Sequence, residues 1–392
     1  MTPSSLFSAW AGSRSPRVLF VGEAWGESED LHRVPFVGHS GKELFRMFGD
    51  AGIAPGAGYA SAKRVIYASD EAFLAAREAW LRANGIALTN VFNLRPQGNK
   101  LEALCGPEGK GVVFGGRVLP PLVRSPKHLY MRGEFAGHLA RLGAEVASAR
   151  PALVVALGTA ALWGLVAALR TAPPAGTHTE IRGTVHPGPP KFLATFHPSY
   201  ILRQWSARSV AVADLIKSWR ESATREFRRP ERTVLISPEL ADIREWYFRH
   251  VVNAQALSCD IETKGGQITS IGFASSPRNA IVVPFVLVGE DPPTFRSYWR
   301  TADDELAARR EVRRFLQSPA EKVFQNGLYD IQWLLRDGYA IRACGEDTML
   351  LHHAIHPEMR KGLGFLGSIY TDEPAWKLMR KRGSDESVKA EE

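Results

Sequence analysis

Cysteine is scarce in this sequence: Cys105, Cys259 and Cys344 are the only three in 392 residues. They lie far apart and form no CxxC pair, which argues against both a disulfide framework and a Cys-ligated zinc site. Buried, reduced thiols are the expectation. No apolar run reaches the roughly 18 residues that a membrane span needs. The opening stretch, MTPSSLFSAW, has no basic region followed by an apolar one, so no secretory signal is expected and the expected compartment is cytoplasmic. Internal repeats and long low-complexity tracts are also missing.

Apolar residues make up 45% of the chain and aromatics 10%, enough for real cores. The length is too great for one ordinary core and suggests two or three domains. The formal charge is +8 and the pI about 9.4, which suits a partner carrying phosphates without specifying one. Arg225, Arg228, Arg229 and Arg232 form one basic group, and Lys377, Arg380, Lys381 and Arg382 another.

Short β-branched runs alternate with helical spacing through the first half. RVLFVG at 17–22, IALTNVF at 86–92, ALVVALG at 152–158 and FLATF at 192–196 read as strands. The stretches 40–50, 134–149 and 207–221 read as helices, as does the segment that Thr159 caps. Such alternation predicts an α/β sheet covered on both faces. Residues 96–133 are rich in Gly, Pro and basic residues without a period, and read as a long irregular insertion. SATREFRRPER at 222–232 is the expected linker between a domain over 1–221 and one over 233–382. The second domain reads as strands 257–263, 268–274 and 280–286, a helix over 303–317, a strand at 322–326 and a helix over 328–337. The tail at 383–392 is expected to be disordered.

Four motifs sit at the C-terminal ends of the early strands, where open α/β sheets bind ligands. They are GEAWGESED with PFVGHSG at 22–41, TNVFNLRP at 89–96, ALGTAA at 156–161 and HPSYILR at 197–203. Taken singly, Asn90 and His197 read as turn or cap residues, Phe36 as core and Glu23 as a surface carboxylate. In this order and spacing the four motifs resemble the uracil-DNA glycosylase superfamily, most closely its bacterial and phage branch, over about 17–221. The resemblance implies a four-stranded parallel sheet flanked by helices, and a site that extrudes uracil from DNA, reads its edge and stabilises the departing anion. By that resemblance Phe36 stacks on the flipped base, the Asn90 amide reads the uracil edge, and His197 hydrogen-bonds the developing oxyanion. Glu23 lies in the catalytic pocket. Tyr200, Ile201 or Leu202 is a wedge for the gap left by the base, and Ser199 and Arg203 contact phosphate. Gly22, Gly26, Gly38 and Gly158 allow backbone amides to approach base and phosphates.

Trp25 departs from the pattern, which has Pro in that place, and alters the loop bounding the pocket. The iron–sulfur members carry four cysteine ligands. Leu94 stands where one belongs, and Cys105 alone matches another, so no cofactor is expected for this domain.

CDIETKGG at 259–266 places Asp260 and Glu262 two apart on one strand, hence on one face. Two such acids are costly unless they hold cations, and paired Mg²⁺ or Mn²⁺ would serve phosphodiester cleavage. FQNGLYDIQW at 324–333 adds Asn326 and Asp330. Together with DTML at 347–350 these resemble the proofreading 3′→5′ exonuclease domain of phage-type family A DNA polymerases, an RNase H-like fold, over about 232–377. Asp260, Glu262 and Asp330 are the implied metal ligands, whereas Asp347 matches a helix start. The family's last carboxylate, which follows a Tyr or His four residues earlier, has no match, because Tyr370 and Asp372 have the wrong spacing. The domain therefore reads as incomplete at its C-terminal end, with no polymerase domain. Completion by a separate polymerase polypeptide, truncation, and survival as a DNA-binding or docking module all remain open. The expected partner is uracil-containing DNA, single- or double-stranded, in a bacterial or phage-infected cell.

Overall fold

A computed structural model describes residues 7–53, 69–106, 111–124, 127–174, 176–289 and 294–373. The tail at 383–392 and the basic group Lys377, Arg380, Lys381 and Arg382 lie outside these residues. The chain divides into two compact units, one of residues 1–227 with 364–392, the other of residues 228–363.

The first unit is built on a six-stranded mixed sheet. Its strands are β1 (Ala11–Gly12), β2 (Val18–Ala24), β3 (Ile86–Phe92), β4 (Leu153–Leu157), β5 (Val185–His186) and β6 (Lys191–Thr195), in the spatial order β1-β3-β2-β4-β6-β5. The four central strands are parallel and begin level, with Val18 opposite both Ile86 and Leu153, and Leu153 opposite Lys191. Level starts bring their C-terminal ends together at one edge. The two outer strands are two-residue antiparallel additions, so the sheet is mixed rather than purely parallel.

Both faces of this sheet are buried, which is why its central strands are mostly apolar. Leu19, Val21, Ala87, Val91, Val154 and Ala156 point into one core. Val18, Phe20, Ile86, Leu88, Leu153 and Val155 point into the other. The insertion at 96–133 is less irregular than its composition suggests. It makes short turns at Gln97–Asn99 and Leu101–Leu104 and two two-residue ribbons, and it sinks Leu104, Leu119, Leu122 and Met131 into the first core. The helix Asp70–Ala83 follows Ser69, whose side chain accepts from Ala72 N–H, and it buries Phe73, Arg77, Trp80 and Leu81.

Residues 364–373 complete this unit. Lys217, 4% exposed, donates from Nζ to the carbonyls of Gly183 (2.9 Å), Ser368 (2.6 Å) and Thr371 (2.7 Å). Arg182 donates to Ser368 Oγ (2.7 Å) and to Asp214 (2.8 Å), and Asp214 accepts from Thr195 Oγ1 (2.7 Å). Three buried charged groups thus pair with one another and with carbonyls, the condition under which charge is tolerated in a core. Tyr370 and Asp372 stand on this segment, where Asp372 pairs with Arg220.

The second unit has a six-stranded mixed sheet of β7 (Thr233–Leu235), β8 (Ala256–Lys264), β9 (Gln267–Ser276), β10 (Asn279–Pro284), β11 (Glu321–Phe324) and β12 (Cys344–Asp347), ordered β7-β10-β9-β8-β11-β12. Strands β8, β9 and β10 form an antiparallel meander, and β11 and β12 add in parallel across helices Ala302–Leu316 and Gly327–Arg336. Among the described residues no helix is long and apolar enough to cross a membrane.

Candidate functional site

The level ends of β2 and β3 set Gly22 directly opposite Asn90. Gly22 must be glycine, since a Cβ there would collide with Oδ1 of Asn90 and with the Phe36 ring. The same construction on Gly158, at φ +92°, would bring a Cβ to 3.0 Å from His197 Cβ. The Phe36 and His197 rings lie 6.0 Å apart, centroid to centroid. Three of the sequence-derived residues, Phe36, Asn90 and His197, therefore meet around Gly22 and Gly158.

Asn90 is 2% exposed, yet among the described residues its side-chain amide has no hydrogen-bond partner. Buried amides are normally satisfied. Its backbone is fixed from behind: Arg141 donates to the carbonyls of Asn90 (2.6 Å) and Val91 (2.8 Å) and to Glu145 (2.6 Å), while Thr89 donates to Glu145 (3.0 Å). Burial pushes the Glu145 carboxyl up, and Arg141 opposes that rise.

Phe36 sits at φ +58°, a backbone that L residues adopt at a cost. Three groups hold it there. Glu29, only 8% exposed, accepts from the amides of Gly26 (3.1 Å), Val37 (2.8 Å) and Gly38 (3.0 Å). Arg77, 2% exposed, donates from Nη1 to the carbonyls of Pro35 (3.1 Å) and Phe36. Gly41 lets helix His39–Asp50 start against the Phe36 backbone, where a Cβ would strike its carbonyl. Burial lowers the Arg77 guanidinium to about 10, which keeps it charged at neutral pH. The expectation that Gly26 and Gly38 offer their amides to base or phosphate is corrected here, because both amides are spent on Glu29.

His197 caps helix Pro198–Arg203. Its Nδ1 accepts from Ser199 N–H (3.1 Å) and lies 2.8 Å from Ser199 Oγ. A nitrogen that accepts carries no proton, so the neutral ring bears its proton on Nε2. Burial, and then the charge of Arg203, lower the imidazole to about 4, so it is neutral at pH 7. Ser199 is thus engaged with this ring through both its amide and its hydroxyl.

Glu23 is half-buried on β2, next to Gly22. Burial raises its carboxyl, Arg203 opposes the rise and Glu102 adds to it. Arg203 is exposed and, among the described residues, forms no ion pair. Trp25 is 5% exposed and packed into the loop wall. Its backbone amide donates to Leu94 O (3.0 Å), Arg33 lies over its ring at 5.5 Å, and its Nε1 has no partner. Of the three wedge candidates, Ile201 is ruled out: it is fully buried in the core, because one side of a short helix must face inward. Tyr200 and Leu202 are 40% and 45% exposed, and Trp205 just beyond is 63% exposed.

Cys105 does not stand in a ligand set. Its thiol donates to Leu101 O (3.5 Å), burial raises its pKa, and it packs in the apolar core that also takes in Leu94. The other two cysteines belong to the second unit, so the residues present do not fit a four-thiolate cluster.

In the second unit Asp260 and Glu262 are both on the exposed face of β8, as their spacing implies. Asp330, on helix Gly327–Arg336, lies against the strand between them. It is 4% exposed, and its Oδ1 accepts from Ile261 N–H (2.9 Å). Burial, with Asp260 contributing, raises the Asp330 carboxyl to about 6. Among the described residues no group of three or more His, Cys, Asp or Glu side chains is arranged to hold a metal ion. Asp347 accepts from the amides of Asn326 (3.1 Å), Gly327 (2.7 Å) and Met349 (2.8 Å), a capping role.

Sequence reasoning missed Glu29, Arg77 and Arg141. The acidic residue after GEAWG and the helix-borne arginines were visible, but their partners are backbone groups that only the fold brings near.

Comparison with known proteins agrees with the geometry of the first unit. The family model described as "Uracil DNA glycosylase superfamily" matches residues 10–220. The chain is also similar to a type-4 uracil-DNA glycosylase from Thermotoga maritima, with 26% identity over 211 residues, covering 53% of this chain and 78% of that protein.

Proposed function

Since the chain belongs to the uracil DNA glycosylase superfamily, we propose that its first unit flips uracil out of DNA and hydrolyses the N-glycosidic bond. The observation that carries this reading is the unpaired Asn90 amide, 2% exposed, beside the Phe36 ring. A side-chain amide can donate to a uracil carbonyl and accept from its imide N–H. Cytosine presents the opposite pattern at that edge and would leave the amide mispaired.

The chemistry follows from the groups around it. As the C–N bond lengthens, the base gains negative charge and the sugar gains oxocarbenium character. The Nε2–H of neutral His197 is the donor for the developing base anion. Its partner Ser199 fixes the tautomer in advance, so no reorganisation is needed at the moment of reaction. Glu23, when ionised, offsets the positive sugar and orients the attacking water. Tyr200 and Leu202 occupy the space the base vacates, and Arg203 takes a phosphate. None of these steps calls on a metal ion.

The test is release of free uracil from a uracil oligonucleotide in the presence of a chelator. Wild type is expected to release it and an Asn90→Ala, His197→Ala double variant to lose that activity. Equal release by both would sink the assignment.

A second reading applies to the other unit. Its strand order, with a three-stranded meander extended by parallel strands, supports an RNase H-like fold, and the outward Asp260 and Glu262 support a remnant of exonuclease architecture. Completion by a separate polymerase polypeptide is the form of it we favour. The chain alone is then expected to remove no 3′ nucleotides with Mg²⁺ or Mn²⁺. Robust digestion abolished by Asp260→Ala would show a complete site instead.

A further inference from the structure

A cavity of about 490 Å³ lies in the first unit against helix Thr159–Leu169. Phe114, Leu119, Leu122, Leu162, Trp163 and Ile181 make its apolar walls, and Arg117, Arg124 and Arg170 stand at its rim. Among the described residues no acidic side chain lines it. All three arginines are exposed, and among the described residues none forms an ion pair. The guanidinium of Arg170 lies over the Phe114 ring at 6.0 Å. Three cations, unpaired among the described residues, around an apolar hollow of this size match a ligand with a flat apolar part and negative charge beside it.

The cavity borders the candidate site. Thr159 lines it and directly follows Gly158, the glycine packed on His197. His178 also lines it, with Nε2 3.0 Å from Thr195 O and its ring 6.0 Å from that of Phe196, the residue before His197. A DNA strand whose uracil is held at Phe36 must leave that pocket, and this is a neighbouring hollow of complementary charge. The roof comes from the insertion. Leu119 and Leu122 anchor it in the core, and the Trp163 Nε1 donates to Pro120 O (3.0 Å), so the wall is fixed from both sides.

We propose that this cavity receives a second, unstacked nucleobase of the same single strand, with Arg117, Arg124 and Arg170 on the phosphates beside it. The proposal rests on the uracil reading and extends it, giving the insertion a substrate-binding role. Stacking and phosphate contacts of this kind bind strands without reading their sequence.

The test uses the full chain and single-stranded oligonucleotides in which the uracil carries one to six extra nucleotides on its 5′ or its 3′ side. Affinity is read by fluorescence anisotropy and turnover by uracil release. Wild type is expected to gain affinity in a step, on one side only. An Arg117→Ala, Arg170→Ala variant is expected to lose that step, about tenfold, with the salt slope of log K falling by roughly 1.4 for two phosphates on a single strand. It should equal wild type on the shortest substrate, and an Arg117→Lys, Arg170→Lys variant should recover most of the loss. A loss of equal size on the shortest substrate, or no loss at any length, overturns the proposal. If wild type shows the affinity step but frees no uracil, excision fails and the strand path stands. If it frees uracil without any step, the reverse holds.

Discussion

Replacing His197 by Asn separates the two jobs of the ring. One nitrogen caps helix Pro198–Arg203 by accepting from Ser199 N–H at 3.1 Å. The other is the proposed donor to the departing base. Asn is among the best N-cap residues, so its Oδ1 inherits the Ser199 amide and stability should change by only a few tenths of a kcal/mol. The shorter amide leaves the base anion without its donor. Removing one preorganised donor of this kind costs about 3–4 kcal/mol, or roughly 10²–10³ in kcat. Ala at the same position loses the donor and the cap together, adding about 1 kcal/mol of instability. Single-turnover release of uracil from a single-stranded oligonucleotide measures the first effect and thermal melting the second. The expected pattern is an Asn variant that melts with wild type but is slowed at least about a hundredfold. An Asn variant within tenfold of wild type would refute the donor role, as would activity that simply tracks melting temperature across both variants.

Glu29→Gln leaves the shape of the loop but weakens its hold on three amides, so Phe36 loses its fixed position; kcat/KM should fall about tenfold, and agreement with wild type within twofold would count against the positioning role. The pH dependence should come from Glu23, not His197. The ring, lowered to about 4, stays neutral as the pH falls through 6 and 5. The Glu23 carboxyl is raised above its ordinary 4.5, so kcat/KM should drop on an acid limb above that value, and Glu23→Gln should abolish the limb. A raised carboxyl pKa means that the folded state binds the proton more readily. Its ionised form therefore weakens the fold as pH rises through that window, and Glu23→Gln should melt higher at pH 7 while losing activity. The opposite shift in melting would contradict the burial argument. Lys217→Met strands the buried carbonyls of Gly183 and Ser368 and should cost at least about 2 kcal/mol in the first unit. Hydrogen exchange in 364–373 should then rise, and unchanged protection would show that this segment is held by something else.

Much of the first unit could be read from its strands. VLFVG, IALTNVF, LVVAL and FLATF are runs whose two faces are both buried, so a mostly apolar run is the signal and it needs no partner to be seen. The two-residue edge strands Ala11–Gly12 and Val185–His186 are too short to carry any period. Helix Asp70–Ala83 had a usable start in Ser69 and an acidic first turn, and its apolar spacing was legible though unused. Phe36, Asn90 and His197 were found because their motifs come in order at strand ends. Arg77 and Glu29 could not be found that way, since a charged residue on a helix reads as a solvated one until the fold supplies buried backbone for it to bond. Ile201 was misplaced for a related reason: six helical residues do not reveal which side faces the core. The position of 364–373 was beyond reach, because Lys217 meets partners about 150 residues away.

The most direct measurement is a crystal structure of the chain with an oligonucleotide carrying 2′-fluoro-2′-deoxyuridine, whose glycosidic bond resists cleavage. The expected density shows the base out of the stack and flat against Phe36. Its imide edge should be within hydrogen-bonding distance of the Asn90 amide, with His197 Nε2 on the remaining carbonyl. A uracil bound anywhere else, or one still stacked in its strand while the Asn90 amide stays unpaired, would contradict the proposed site.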